Sequence, residues 1–303
     1  MTEVFHATLP DDVAHREKTW PRPSLGANRS FATILLAGVT ALGGCGPSLQ
    51  MGQTGAGVAE ITDSSPQAAS DNIASLTEVV SRNPNNVEAL TTRGVAYAKF
   101  GRFSEAIADF SKAIEIDPNS YAALTDRALA YRQTNRNELA LADFNRALTA
   151  NPRHAPAYLG RANLERVQGQ LEQAKADLDQ AIKLNPESAQ AFHSRGLIYQ
   201  REGNQALAIT DFDNAIDRDP FAAAPYQARG ESLIAIGKND KAIEDFNAAL
   251  NVNNKNASAW AGLGLAYEKM GDRAKASLNY QRALSLDPNN AVARDGSSRV
   301  GRA

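Results

Sequence analysis

The sequence predicts an all-α solenoid of six stacked helix–turn–helix hairpins. Three observations predict it: a 34-residue period, small residues fixed within that period, and helix-stopping punctuation at two points of each copy. The period runs without insertion from Val87 to Asn290, with copies beginning at Val87, Tyr121, Ala155, Ala189, Ala223 and Ala257. A single hairpin of this size cannot bury its apolar face, so neighbours stack to build one continuous core.

The columns of the repeat explain how the helices meet. Position 20 is alanine in every copy, from Ala106 to Ala276, and position 27 is alanine from Ala113 to Ala283. Position 8 is Gly94, Ala128, Ala162, Gly196, Gly230 and Gly264. Small residues at these points let two helix axes approach closely. Position 24 supplies the bulk between them: Phe110, Phe144, Leu178, Phe212, Phe246 and Tyr280. Positions 20, 24 and 27 recur at helical spacing and form one apolar stripe on the second helix.

Two stops delimit each hairpin. Position 15 is Gly101, Asn135, Gly169, Gly203, Gly237 or Gly271, residues that tolerate the left-handed backbone ending a helix. Asp-Pro or Asn-Pro closes most copies, as in Asp117-Pro118 and Asn151-Pro152, because proline cannot continue a helix. The fifth copy uses Asn253-Asn254 instead.

An electrostatic column pair adds register. Position 7 is Arg93, Arg127, Arg161, Arg195 and Arg229, then Leu263. Position 23 is Asp109, Asp143, Asp177, Asp211 and Asp245, then Asn279. The columns change together in the last copy, which predicts a structural Arg–Asp ladder between the two helices of each repeat.

These columns over 204 contiguous residues resemble the tetratricopeptide repeat (TPR) family. The resemblance implies a right-handed superhelix whose first helices line a concave groove. The expected organisation is an N-terminal extension and signal (1–44), a tether (45–70), a degenerate capping helix (71–86), and repeats at 87–120, 121–154, 155–188, 189–222, 223–256 and 257–290. A short polar tail, 291–303, is expected to break at Gly296-Ser297-Ser298.

Before the repeats, Phe31–Leu42 is an apolar run too short to span a bilayer but suited to the core of a signal peptide. It ends at Leu42-Gly43-Gly44-Cys45, which resembles a bacterial lipobox and implies lipidation of Cys45, the sole cysteine of the chain. Gly43 and the long, partly acidic stretch before the apolar run depart from that pattern, and a start nearer Leu25 is the expectation. Residues 45–70, rich in Gly, Ser, Gln and Ala, read as a flexible linker. Gly46 after the cysteine, by resemblance, favours an outer-membrane lipoprotein facing the periplasm. Asp71–Asn83 places Ile73, Leu76, Val79 and Val80 on one face, as the second helix of an incomplete copy covering the open end of the array.

A net charge of −2 argues against nucleic-acid binding. A lone cysteine excludes an intramolecular disulfide and a cysteine metal cluster. Of four histidines, His6 and His15 precede the expected cleavage point, and His154 and His193 lie in different copies without metal-ligand spacing. Gly230–Asn239 lacks the spacing of a phosphate loop. No cofactor, metal or catalytic constellation is expected, and the chain reads as a non-enzyme. Glu165 stands out at position 11, otherwise tyrosine or leucine, where it pairs with Arg161 one turn earlier, turns to solvent, or serves a local binding role.

The family's groove positions place Val95, Lys99, Thr125, Leu129, Arg132, Asn163, Arg166, His193, Leu197 and Arg201 on the working surface. A basic and apolar lining suits an extended or helical peptide carrying acidic residues. Position 5 lacks the lysine that a carboxylate clamp requires in its first copy. The resulting expectation is a lipid-anchored scaffold resembling envelope lipoproteins of the NlpI kind, with envelope proteins as partners. A pilotin-like assembly factor and a passive spacer are the alternatives. Solenoids associate through poorly covered ends, which leaves a homodimer open.

Overall fold

The structure, a computed structural model, describes residues 66–301. Fourteen helices are found among them, all in hairpin register with the period. Helix α1 (Pro66–Arg82) precedes six pairs: α2 (Val87–Lys99) with α3 (Phe103–Ile116), α4 (Tyr121–Gln133) with α5 (Asn137–Ala150), and α6 (Ala155–Val167) with α7 (Leu171–Leu184). The series continues with α8 (Ala189–Arg201) and α9 (Gln205–Arg218), α10 (Ala223–Ala235) and α11 (Asn239–Val252), and α12 (Ala257–Lys269) and α13 (Arg273–Leu286). Helix α14 (Ala291–Val300) closes the array. Each helix packs on its hairpin partner and on the neighbouring repeat, giving an all-α solenoid.

The turn within a hairpin is a left-handed residue followed by a closing backbone bond. Asn135 takes φ 59° where other copies have glycine, and the Arg136 amide then donates to the Tyr131 carbonyl at 2.8 Å. The turn between hairpins is set by the residue before proline: the Asn119 amide donates to Asp117 Oδ1 at 3.0 Å. Asn86, Ser188, Asn256 and Asn290 then accept amide protons from the first turn of the next helix.

The position-24 rings are fully buried, and each such side chain contributes roughly 1.5–3 kcal/mol by leaving water. They sit against glycine from two directions. A Cβ on Gly94, at position 8, would lie 2.5 Å from the Phe110 ring, and one on Gly160, at position 6 of the following copy, would overlap Phe144. Position 6 is therefore a second close-approach column.

Both ends differ from the sequence expectation. Helix α1 begins at Pro66, five residues inside the stretch assigned to the tether, because proline at a first helical position loses no hydrogen bond and presets φ. Ile73 and Val80 are its buried residues, while Val79 is 46% exposed, one residue off the i, i+7 stripe. The tail does not break at Gly296: α14 runs through Gly296-Ser297-Ser298. A side chain at Gly296 would overlap the Tyr280 ring, so this glycine permits docking instead of ending the helix. Arg299 fastens the docked helix, donating from Nε and Nη2 to both carboxylate oxygens of Glu268 at 2.7 and 2.9 Å. Tyr280 donates its hydroxyl proton to the same Glu268 at 2.5 Å.

Cys45, the signal segment and 45–65 of the tether lie outside the described residues. Among the described residues no helix is long and apolar enough to cross a membrane.

Candidate peptide-binding groove

The ladder fixes the geometry on which the groove rests. Arg93, Arg127, Arg161, Arg195 and Arg229 each donate from Nε and Nη2 to both oxygens of Asp109, Asp143, Asp177, Asp211 and Asp245, at 2.6 to 2.9 Å. The five aspartates are buried. Asp211 and Asp245 hold the Arg195 and Arg229 guanidiniums further above their ordinary range, since the charged form carries the bonds.

The third guanidinium nitrogen has a use that the column reading missed. Nη1 of Arg127, Arg161, Arg195 and Arg229 donates to Ser111, Asn145, Asp179 and Asp213 of the preceding repeat, at 2.9, 2.7, 2.7 and 2.5 Å. These acceptors share position 25, and the column holds a hydrogen-bond acceptor in every copy that precedes an arginine. The ladder thus joins helices within a repeat and repeats to one another.

Beside these committed arginines, the three arginines of the groove are not committed. Arg132, Arg166 and Arg201 make no hydrogen bond or ion pair among the described residues, and Arg166 Nε is buried without an acceptor. Burial, and then the charge of Arg166, lowers the pKa of Arg132. Burial, and then the charge of Arg201, lowers that of Arg166. His193 is pushed down to about 4 by burial and then by Arg166, and it lies tilted over Phe212 at 5.8 Å between ring centroids. It is neutral at physiological pH. Three guanidiniums in sequence along one face, each feeling the next, form a row of uncompensated positive charge.

Apolar hollows lie towards both ends of this row. The first, about 320 Å³, lies between the first two repeats and brings Val95, Lys99 and Leu129 together with Phe103, Phe110 and Asp126. The second, about 200 Å³, is lined by Ile234 and Phe246 of the fifth repeat, Gly262 and Leu265 of the sixth, and Val292 of α14.

The other groove candidates divide. Leu197 packs against the Phe212 cluster beneath the groove. Asn163 accepts a hydrogen bond from the Ser194 hydroxyl of the next repeat at 3.0 Å. Thr125 is only 2% exposed and donates its hydroxyl proton to the Tyr121 carbonyl at 2.8 Å, so it belongs to the interior. Asp126, beside it, is half-buried in the lining of the first hollow and is the residue that sequence reasoning passed over. The signal was present: position 6 reads Thr92, Asp126, Gly160, Ser194, Ala228 and Gly262, one charge among small residues.

Glu165 is buried with its side chain 9% exposed. Oε1 is 3.9 Å from Arg161 Nε and Oε2 has no hydrogen-bond partner. It neither turns to solvent nor makes a close pair, because Arg161 is already engaged with Asp177 at 2.6 Å. Among the described residues no group of three or more His, Cys, Asp or Glu side chains could hold a metal ion.

Comparison with known proteins matches these features. Models described as tetratricopeptide repeat match residues 87–120, 125–174, 189–221 and 257–290, and a model described as TPR repeat matches 162–203 and 230–271. No curated protein matches at a significant level. Among solved structures, a chain of the APC/C hetero-tetramer Cut9–Hcn1 is similar with a TM-score of 0.69 and 20% identity over 75% of this chain, which spans 45% of that chain. PilF of Pseudomonas aeruginosa is similar with a TM-score of 0.64 and 20% identity, covering 70% of this chain and 97% of PilF. YrrB, described as a TPR protein with an unusual peptide-binding site, is similar with a TM-score of 0.52 and 24% identity, covering 62% and 97%. At these identities the likeness is one of fold. By period, packing and matched segments alike, the chain belongs to the tetratricopeptide repeat family.

Proposed function

We propose that this chain is a lipid-anchored scaffold of the bacterial cell envelope whose groove docks acidic segments of partner proteins. Tetratricopeptide repeats build protein–protein interaction scaffolds, and the groove is the surface here with chemistry left unused. The carrying observation is the row Arg132, Arg166 and Arg201, without a carboxylate among the described residues, in a chain whose ladder arginines all have one. Guanidiniums that repel one another, two of them half-buried and Arg201 exposed, gain from an acidic ligand through charge-assisted and bidentate hydrogen bonds. The anchor rests on Cys45 at the end of the apolar run Phe31–Leu42. In this reading the lipid holds the molecule on the membrane, the linker gives reach and the groove selects.

The test is affinity capture from envelope extract with the full chain beside an Arg132→Glu/Arg166→Glu/Arg201→Glu variant, both checked by circular dichroism. Partners held by the first and lost by the second support the groove. The same partners on both would move the working surface elsewhere, and no partner on either favours a passive spacer.

A further inference from the structure

Resting on that groove reading, the hollow between the first two repeats specifies more than negative charge. Its walls are apolar: Val95, Phe103, Phe110 and Leu129. Into them projects Asp126, which makes no hydrogen bond or ion pair among the described residues. Burial alone pushes its carboxyl up to about 6. An unpaired carboxylate held in an apolar wall costs free energy unless a donor arrives to meet it. Its place in the repeat makes the choice more pointed, because the third and sixth copies put glycine there to admit a ring.

The occupant has to satisfy three conditions. It needs an apolar body to cover the aromatic and aliphatic walls. It needs one donor at its tip for Asp126. It cannot be a cation, because Lys99 lines the same hollow and the arginine row starts at Arg132, further along the helix that carries Asp126. An indole meets all three, since its ring N–H donates and accepts nothing, and a phenol meets them less strictly.

We propose that this hollow is a specificity socket for a tryptophan or tyrosine side chain of the docked segment, with Asp126 accepting the ring's N–H or O–H. The docked segment then carries two signals side by side: an aromatic donor over the first two repeats and acidic residues over the second to fourth. Asp126 orients the segment, because the anchor fits one end of the basic row only.

The probe is a fluorescein-labelled peptide, Trp-Gly-Ser-Gly-Glu-Glu-Glu-Glu, with its reversed order and with twins in which phenylalanine replaces tryptophan. Binding to the full chain is followed by fluorescence anisotropy. In one of the two orders the tryptophan peptide is expected to bind roughly tenfold more tightly than its phenylalanine twin, the range for a hydrogen bond to a charged acceptor. Asp126→Ala equalises the twins, and Asp126→Asn, which keeps the shape without the charge, reduces the ratio. Both variants are expected to fold, because Asp126 has no partner to lose among the described residues. Arg132→Glu/Arg166→Glu/Arg201→Glu weakens both twins by the same factor. An unchanged tryptophan preference in Asp126→Ala, no preference in the unaltered chain, or no binding of either order overturns the socket. Twins that bind equally yet are both released by the triple variant overturn the socket while leaving the basic groove standing.

Discussion

Glu165 makes stability depend on pH in a way that one substitution removes. Burial first, and the nearby Asp177 charge second, raise its carboxyl from 4.5 to about 7, with Arg161 opposing. The folded state therefore keeps a proton that the unfolded chain gives up. The sign follows: the contribution is complete below pH 4.5 and is lost as pH rises through 7. Between pH 5 and pH 8 this amounts to about 2.5 kcal/mol, at about 1.4 kcal/mol per tenfold change. Urea unfolding of the full chain and of Glu165→Gln at both pH values isolates it, because Asp126 and the histidines titrate equally in the two proteins. The unaltered chain is expected to lose about 2.5 kcal/mol more than Glu165→Gln between pH 5 and 8. Equal losses would show that Glu165 is solvated or firmly paired in solution, and the reasoning from its burial would fail. Glu165→Tyr, which restores the residue of the first, second, fourth and sixth copies, should raise stability at pH 8 by placing a ring against Arg161 as Tyr97 lies against Arg93.

Two further outcomes are open to direct measurement. Asp211→Ala leaves the half-buried Arg195 with only the exposed Asp179, and should lower stability by about 3 kcal/mol in denaturant unfolding, whereas an Arg195→Leu/Asp211→Leu pair should come close to neutral; equal losses would demote the ladder to a surface feature. Mass spectrometry of the membrane-extracted protein should find an acylated N-terminal Cys45, and a mature chain that begins before Cys45 without lipid would remove the anchor from the proposed function.

The period made the fold legible, because each copy repeats the same evidence and chance agreement fades with number. Asn135 could be placed in the left-handed turn simply from its column, and the Arg–Asp partnership from the joint change at Leu263 and Asn279. What escaped were residues whose role is set by a neighbour beyond the column. Gly296 looks like a helix breaker until the Tyr280 ring occupies the space that its missing side chain leaves. Pro66 looks like part of a linker, although a proline opens a helix as readily as it ends one. Asp126 looks like an ordinary surface acid until Val95, Phe110 and Leu129 close round it. Thr125 was assigned to the groove by its position, but its hydroxyl is spent on its own helix. Side-chain direction, unlike periodicity, is settled by packing.

The stitch between repeats changes its chemistry along the array. The second and first repeats are joined through a hydroxyl, Ser111, and the third and second through an amide, Asn145. The next two junctions use carboxylates, Asp179 and Asp213, and the last lacks this arginine bond because Leu263 replaces the arginine, although Trp260 Nε1 there donates to the Asn254 carbonyl at 2.9 Å. All four bonds have a charged donor, but only the bonds to Asp179 and Asp213 are ion pairs as well. The charged partners of this column therefore fall at the junctions of the third to fifth repeats. The first hollow lies at the hydroxyl seam and the second at the seam without the arginine. The column thus grades along the array from neutral to charged partners and stops where the second hollow opens, so each guanidinium that spans two repeats answers to a different chemistry.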